Sequence, residues 1–166
     1  MNLQETLKYY GITSIWHFTD ASNLESIKKY GILSLDLINK NKIYVPCFGA
    51  DGNSHYRDKV KGLDKFVHLS LIKEHPMQYH KVHEGLIPNP VWLEIDISVL
   101  FENKSQCCNQ IANATSAKCY DIIDLAKVID LESLINNPYC SYQIKKAQLI
   151  VANRIDYSKI KGIYHG

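Results

Sequence analysis

The stretch from Thr13 to Ser34 leaves this chain few ways to fold, because strand, helix and stop signals follow one another directly. Ile12, Ile15, Trp16 and Phe18 supply the β-branched and aromatic character of a buried strand. Ser22-x-x-Glu25 has the pattern of a capping box, in which hydroxyl and carboxylate satisfy free amides at a helix start. Leu24 and Ile27 then share one face at helical spacing, and Gly31 ends the helix where a left-handed turn is cheap. The layout gathers His17, Thr19, Asp20 and Asn23 where a strand meets a helix. Polar groups at a strand end commonly hold a ligand; the competing reading is a satisfied core histidine among capping residues.

The remaining signals describe one α+β domain over residues 1–166, without repeats or linkers. Met1–Tyr10 reads as a short leading helix with no signal-peptide apolar region, and no apolar run approaches the ~20 residues of a membrane span. A cytoplasmic protein without membrane attachment is therefore expected. Leu35–Val45 is a mixed segment that wraps over the site. Cys47–Gly62 is predicted to be a polar loop, Leu63–Leu71 a strand, and Gln78–Pro90 another loop. Val91–Ile97 is a strand and Ser98–Glu102 a helical turn. Cys107–Tyr120 is polar and unassigned. Asp121–Asn136 is helical with a possible break at Asp130, and Ala147–Ala152 and Ile160–Tyr164 are strands.

Several chemistries find no support. The five cysteines lack CxxC spacing and are odd in number, which argues against a disulfide framework and against zinc. Of seven histidines, the closest pair is His80-x-x-His83, in a loop-like stretch with no HExxH pattern, so no metal is expected. GxSxG, GxGxxG and the P-loop are absent. A net charge of +2 does not by itself announce nucleic-acid binding, but the only arginines are Arg57 and Arg154. Planar, bidentate recognition of phosphate has to come from one of them.

In order along the chain, the sequence offers WHFTDASNL…YGILS, then Arg57 before LDKFVHLSL, the pair Pro76-Met77, and VWLEIDIS. Asn113-Ala114-Thr115, the acidic run DIIDLAKVIDLESL and KKAQLIVANRI complete the series. This succession resembles the DarT toxins, DNA ADP-ribosyltransferases. The resemblance implies an ADP-ribosyltransferase fold, a split β-sheet core with a few flanking helices. It implies NAD+ as co-substrate, a base of single-stranded DNA (thymine or guanine) as acceptor, and a macrodomain antitoxin as partner. It also implies roles. His17 meets the nicotinamide-side ribose, while Thr19, Asn23 and Ser34 shape the rest of the NAD+ pocket. Arg57 contacts the pyrophosphate or orients the base, and His68 and Ser70 line the pocket from the second strand.

One position departs from the family pattern. Where the family's last core strand carries its catalytic glutamate, this chain reads Ala147-Gln148-Leu149-Ile150-Val151. Glutamine keeps the shape and the hydrogen bonding but cannot take a proton, and losing a general base costs ~10²–10⁴-fold in rate. The expectation is an impaired transferase; the alternatives are an NAD- or nucleic-acid-binding pseudo-enzyme, or another acid, Glu94 or Asp156, in glutamate's place. An RNA-directed, 2′-phosphotransferase-like enzyme is a further alternative. Tyr139, Tyr142, Lys145 and Lys146 interleave aromatic and basic side chains just ahead of that strand. Such segments stack bases and neutralise phosphates, or else form an ordinary solvated loop.

Overall fold

The computed structural model describes residues 1–49 and 52–166. Helix α1 (Leu3–Tyr9), capped by a reciprocal Asn2–Glu5 box, precedes strand β1 (Ser14–Asp20). The predicted Ser22–Glu25 box does not form. Asp20 takes the Ser22 amide instead, a 3₁₀ turn follows at Ala21–Asn23, and helix α2 (Leu24–Tyr30) starts without a side-chain cap. An aspartate two residues upstream competes for the same amide and wins, because its own backbone is already extended. Gly31 closes α2 at φ 82°, and a Cβ there would run into the Ile155 carbonyl oxygen, so both backbone and packing demand glycine.

Strand β2 (Ile32–Leu33) and helices α3 (Leu35–Lys40) and α4 (Gly52–Val60) lead to β3 (Phe66–Leu69). After β3 come α5 (Pro76–His83), β4 (Pro90–Asp96), α6 (Val99–Glu102), β5 (Ser105–Cys108) and β6 (Cys119–Asp121). Short helices α7 (Leu125–Val128), α8 (Leu131–Asn136) and α9 (Tyr142–Lys145) then deliver the chain to β7 (Gln148–Ala152), β8 (Arg154–Ile155) and β9 (Ile160–His165). Asp130 does break the long acidic run, capping α8 through the Ser133 amide.

The sheet is split. One half orders β1-β4-β9 and the other β3-β7-β5-β6, with β2-β8 as a small accessory pair. The halves meet where Trp16 and Ser70 exchange two backbone hydrogen bonds of 2.8 Å. Ile15, Leu93, Ile95, Leu149, Val151 and Leu125 fill the core between them and are fully buried.

Two predicted loops contain helices. Within Cys47–Gly62, whose residues 50 and 51 lie outside the described residues, α4 buries only Ser54 and so has no apolar periodicity to betray it. Within Gln78–Pro90, α5 begins earlier, with Pro76 at its first position and His75 Nδ1 accepting the Met77 amide. The expectation of unpaired thiols is also corrected: Cys108 and Cys119 are disulfide-bonded across the β5–β6 hairpin, their Cα atoms 4.1 Å apart. Strand register brings them together, and no spacing motif encodes it.

Candidate active site

The seam between the half-sheets opens into a cavity of about 260 Å³. His17, Thr19 and Asn23 reach it from β1 and the turn that follows, His68 and Ser70 from β3 and its end, and Gln148 from the start of β7. Six of the eight cavity positions expected from the sequence thus converge. Ser34 does not: fully buried, it caps α3 by accepting the Leu37 amide. Arg57 also lies outside the lining; exposed on α4, it reaches Ser54 Oγ at 3.5 Å.

His17 Nδ1 donates to the His68 carbonyl at 2.9 Å, which leaves Nε2 as an acceptor. Burial pushes its pKa down, opposed by that same hydrogen bond, so the ring is neutral at pH 7. Asn23 is a clamp. Its amide donates to Thr19 Oγ1 and to the Cys47 carbonyl, and its oxygen accepts from the Cys47 amide, which ties the segment after α3 across the cavity. Ser70 spends its hydroxyl on a local turn with Ile72. Gln148 Oε1 accepts the Ala112 amide at 2.9 Å, deep in the wall.

Burial raises Asp20, but hydrogen bonds from Ser22 and Asn89 outweigh it and hold the carboxyl below its ordinary value. Asp20 is therefore a structural anion that fixes the strand end. Burial pushes the Cys107 thiol up to about 12, far from a thiolate at neutral pH. Among the described residues no group of three or more His, Cys, Asp or Glu side chains is arranged to hold a metal. Also among the described residues, no helix is long and apolar enough to cross a membrane.

Helix α5 supplies what the sequence reading missed. Its Lys81 lines the cavity while only 8 % exposed, and no ion pair among the described residues includes it. On its outer face Tyr79 is exposed and stacks on His83 with ring planes 7° apart. His80 meets the Tyr142 hydroxyl at 2.6 Å, and Lys146 Nζ sits 4.6 Å from the Tyr142 ring centroid. Tyr142 and Lys146 thus join α5 in one aromatic, basic face; Lys145 is half-buried on α9 and Tyr139 projects almost wholly into solvent nearby in sequence. The signal was there as Tyr79, His80 and His83, but a loop assignment hid the helical spacing that puts Lys81 on the opposite side.

The family model described as "DarT: ssDNA thymidine ADP-ribosyltransferase, DarT" matches residues 16–166. The chain belongs to the DarT family. Among solved structures, Thermosipho africanus DarTG in complex with ADP-ribose superposes with a TM-score of 0.73 at 20 % identity, over 93 % of this chain. This chain spans 44 % of that one. Thermus sp. 2.9 DarT in complex with ADP-ribosylated ssDNA gives a TM-score of 0.73 at 16 % identity, covering 92 % of this chain and 81 % of that one. The same Thermus protein in complex with NAD+ gives 0.65 at 15 % identity, over 92 % and 81 % of the two chains. No curated protein matches. The DarT fold and the split sheet agree with the expectation from the sequence.

Proposed function

We propose that this chain transfers ADP-ribose from NAD+ to thymidine in single-stranded DNA, slowly because of Gln148. The observation that carries the reading is the double use of α5, which lines the cavity with Lys81 on one side and presents Tyr79, His80 and His83 on the other. A cavity for the dinucleotide and a stacking face for the strand then share one rigid element.

In this reading Lys81 meets the NAD+ pyrophosphate, one of the two roles the resemblance implied for Arg57 (the other being to orient the base), and the neutral His17 accepts from a ribose hydroxyl through Nε2. Breaking the nicotinamide–ribose bond leaves an oxocarbenium-like C1′, which is stabilised by hydrogen bonds that strengthen as charge develops. Gln148 offers its amide to the ribose but no charge to the cation and no base to the thymine. Unpaired bases stack on Tyr79 and Tyr142 while Lys146 and Lys145 face phosphates, so a single strand enters without being unwound. The partner is a macrodomain antitoxin that removes the mark, a role supported by the likeness to a DarTG protein.

A binding-only protein is the second reading, favoured by the Gln148 oxygen already committed to Ala112. Intact mass of thymidine-containing DNA and matched RNA oligonucleotides, after incubation with NAD+, separates the readings. The chain as it stands and Gln148→Glu are compared. A gain of one ADP-ribose on DNA is expected, faster for Gln148→Glu because a glutamate offers charge to the oxocarbenium-like C1′. Gain on RNA alone redirects the substrate, and NAD+ binding without gain on either leaves the binding role.

A further inference from the structure

We propose that Asp58 is the carboxylate that takes the thymine proton in this chain; the proposal rests on the transferase reading above. The acids that the sequence offered as substitutes for glutamate are placed elsewhere. Glu94 sits on the outer face of β4, where Ser14 and Tyr164 hydrogen-bond it at 2.7 and 2.8 Å and hold its pKa down. Asp156 is engaged by Arg154 on the surface. Neither lines the cavity, whereas Asp58 does, and among the described residues it is the one carboxylate there.

A short chain of contacts also connects the helix of Asp58 to the strand of Gln148, and both side chains line the same cavity. Helix α4 turns Ser54 and Asp58, four residues apart, toward the cavity. Its continuation carries Lys61, three residues beyond Asp58, whose ammonium donates to the carbonyls of Ala112 and Ala114 at 2.9 and 2.8 Å. The amide of that same Ala112 holds Gln148 Oε1. One residue of the 111–114 turn therefore links the helix of Asp58 to the strand of Gln148. Finally, Asp58 Oδ1 is buried and has no hydrogen-bond partner among the described residues. A carboxylate oxygen kept dry and unpaired costs stability, and it is retained where a substrate donor completes it.

The step balances. The bond from the ribose C1′ to the nicotinamide nitrogen breaks, its electron pair neutralising the pyridinium, and neutral nicotinamide leaves. Thymine N3, the only ring nitrogen of thymidine bearing a proton, bonds to C1′, and its proton passes to the Asp58 carboxylate. Gln148 stays neutral throughout, hydrogen-bonding the ribose.

The test is single-turnover transfer to a thymidine oligonucleotide, read by mass, for four proteins: the chain as it stands, Asp58→Asn, Gln148→Glu and the double variant. NAD+ affinity and thermal unfolding are measured on each. Asp58→Asn is expected to lower transfer ~10²–10⁴-fold with NAD+ affinity kept within a few fold, and Gln148→Glu is expected to restore transfer in the double variant. A purely structural role fails that rescue, so equal loss in both backgrounds overturns the proposal. Unchanged transfer in Asp58→Asn overturns it too. So does a chain that transfers nothing until Gln148→Glu is introduced, an outcome that leaves the transferase reading intact. If no protein modifies DNA while all bind NAD+, the transferase reading and the Asp58 proposal fall together.

Discussion

Lys81 is an ammonium held at 8 % exposure beside a cavity with no carboxylate pairing it among the described residues. Burying such a charge is costly, and an incoming diphosphate relieves the cost. Lys81→Ala should therefore raise KM for NAD+ roughly 10–100-fold, the ~1.5–3 kcal/mol of a hydrogen bond to a charged group, while kcat changes little. Arg57→Ala measured alongside should shift KM less, since its side chain lies outside the lining. Steady-state kinetics on the Gln148→Glu background decides between them. His17, Thr19, Asn23, His68, Ser70 and Gln148 were legible as site residues because they lie on, or within a few residues of, strands readable in the sequence, where the family resemblance could be matched position by position. Lys81 and Asp58 were not, because they sit on α5 and α4, whose sequences carry no apolar periodicity.

Elements decide how the nucleic acid is met. Helix α5 is short and polar, so its own propensity does little; Pro76 at the start and the His75 cap hold it in place. That anchoring matters because Tyr79 and Tyr142 stand on different elements and are joined through His80. Tyr79→Ala and Tyr142→Ala should each weaken binding of a single-stranded oligonucleotide by ~1–3 kcal/mol, about ten-fold or more, without affecting NAD+ affinity. Fluorescence anisotropy at fixed salt checks this, and equal affinity for all three proteins removes the stacking face from the account. The disagreement between Ser22 and Asp20 over the start of α2 belongs to the same level. A capping pattern admits every residue able to cap, and only the local backbone chooses one.

For the molecule as a whole, two histidines make stability depend on pH just below neutrality. Burial lowers the pKa of His17 and of His75, the latter against the Lys146 and Ala147 carbonyls, which favour its charged form. Above the ordinary value of 6.5 both rings are neutral whether the chain is folded or not. Below it the unfolded chain binds protons that the fold refuses, so stability falls as pH falls. The melting temperature should accordingly decline between pH 7 and pH 5, before Asp20, whose pKa is held down, begins to protonate in the fold. His75→Asn, which keeps an acceptor for the Met77 amide, should flatten part of that decline. A melting temperature constant over this window would remove burial of these rings as the cause. The α+β class was legible from short strands set among few, unevenly placed helices, and the split of the sheet from the family resemblance. The accessory pairings were not, since β2 and β8 are two residues each and are created by tertiary contact.

The Cys108–Cys119 bridge encloses the very turn on which the cavity wall hangs, since Ala112 lies within its loop and Cys108 faces Gln148 in the β5–β7 register. Opening the bridge gives chain entropy back to the unfolded loop and so disfavours its folded form by ~3 kcal/mol for a closure of this length. The amide that steadies Gln148 and the carbonyls that steady Lys61 lie on the segment that bears this cost. Reducing conditions are therefore expected to loosen the wall that holds Gln148, and oxidising ones to firm it.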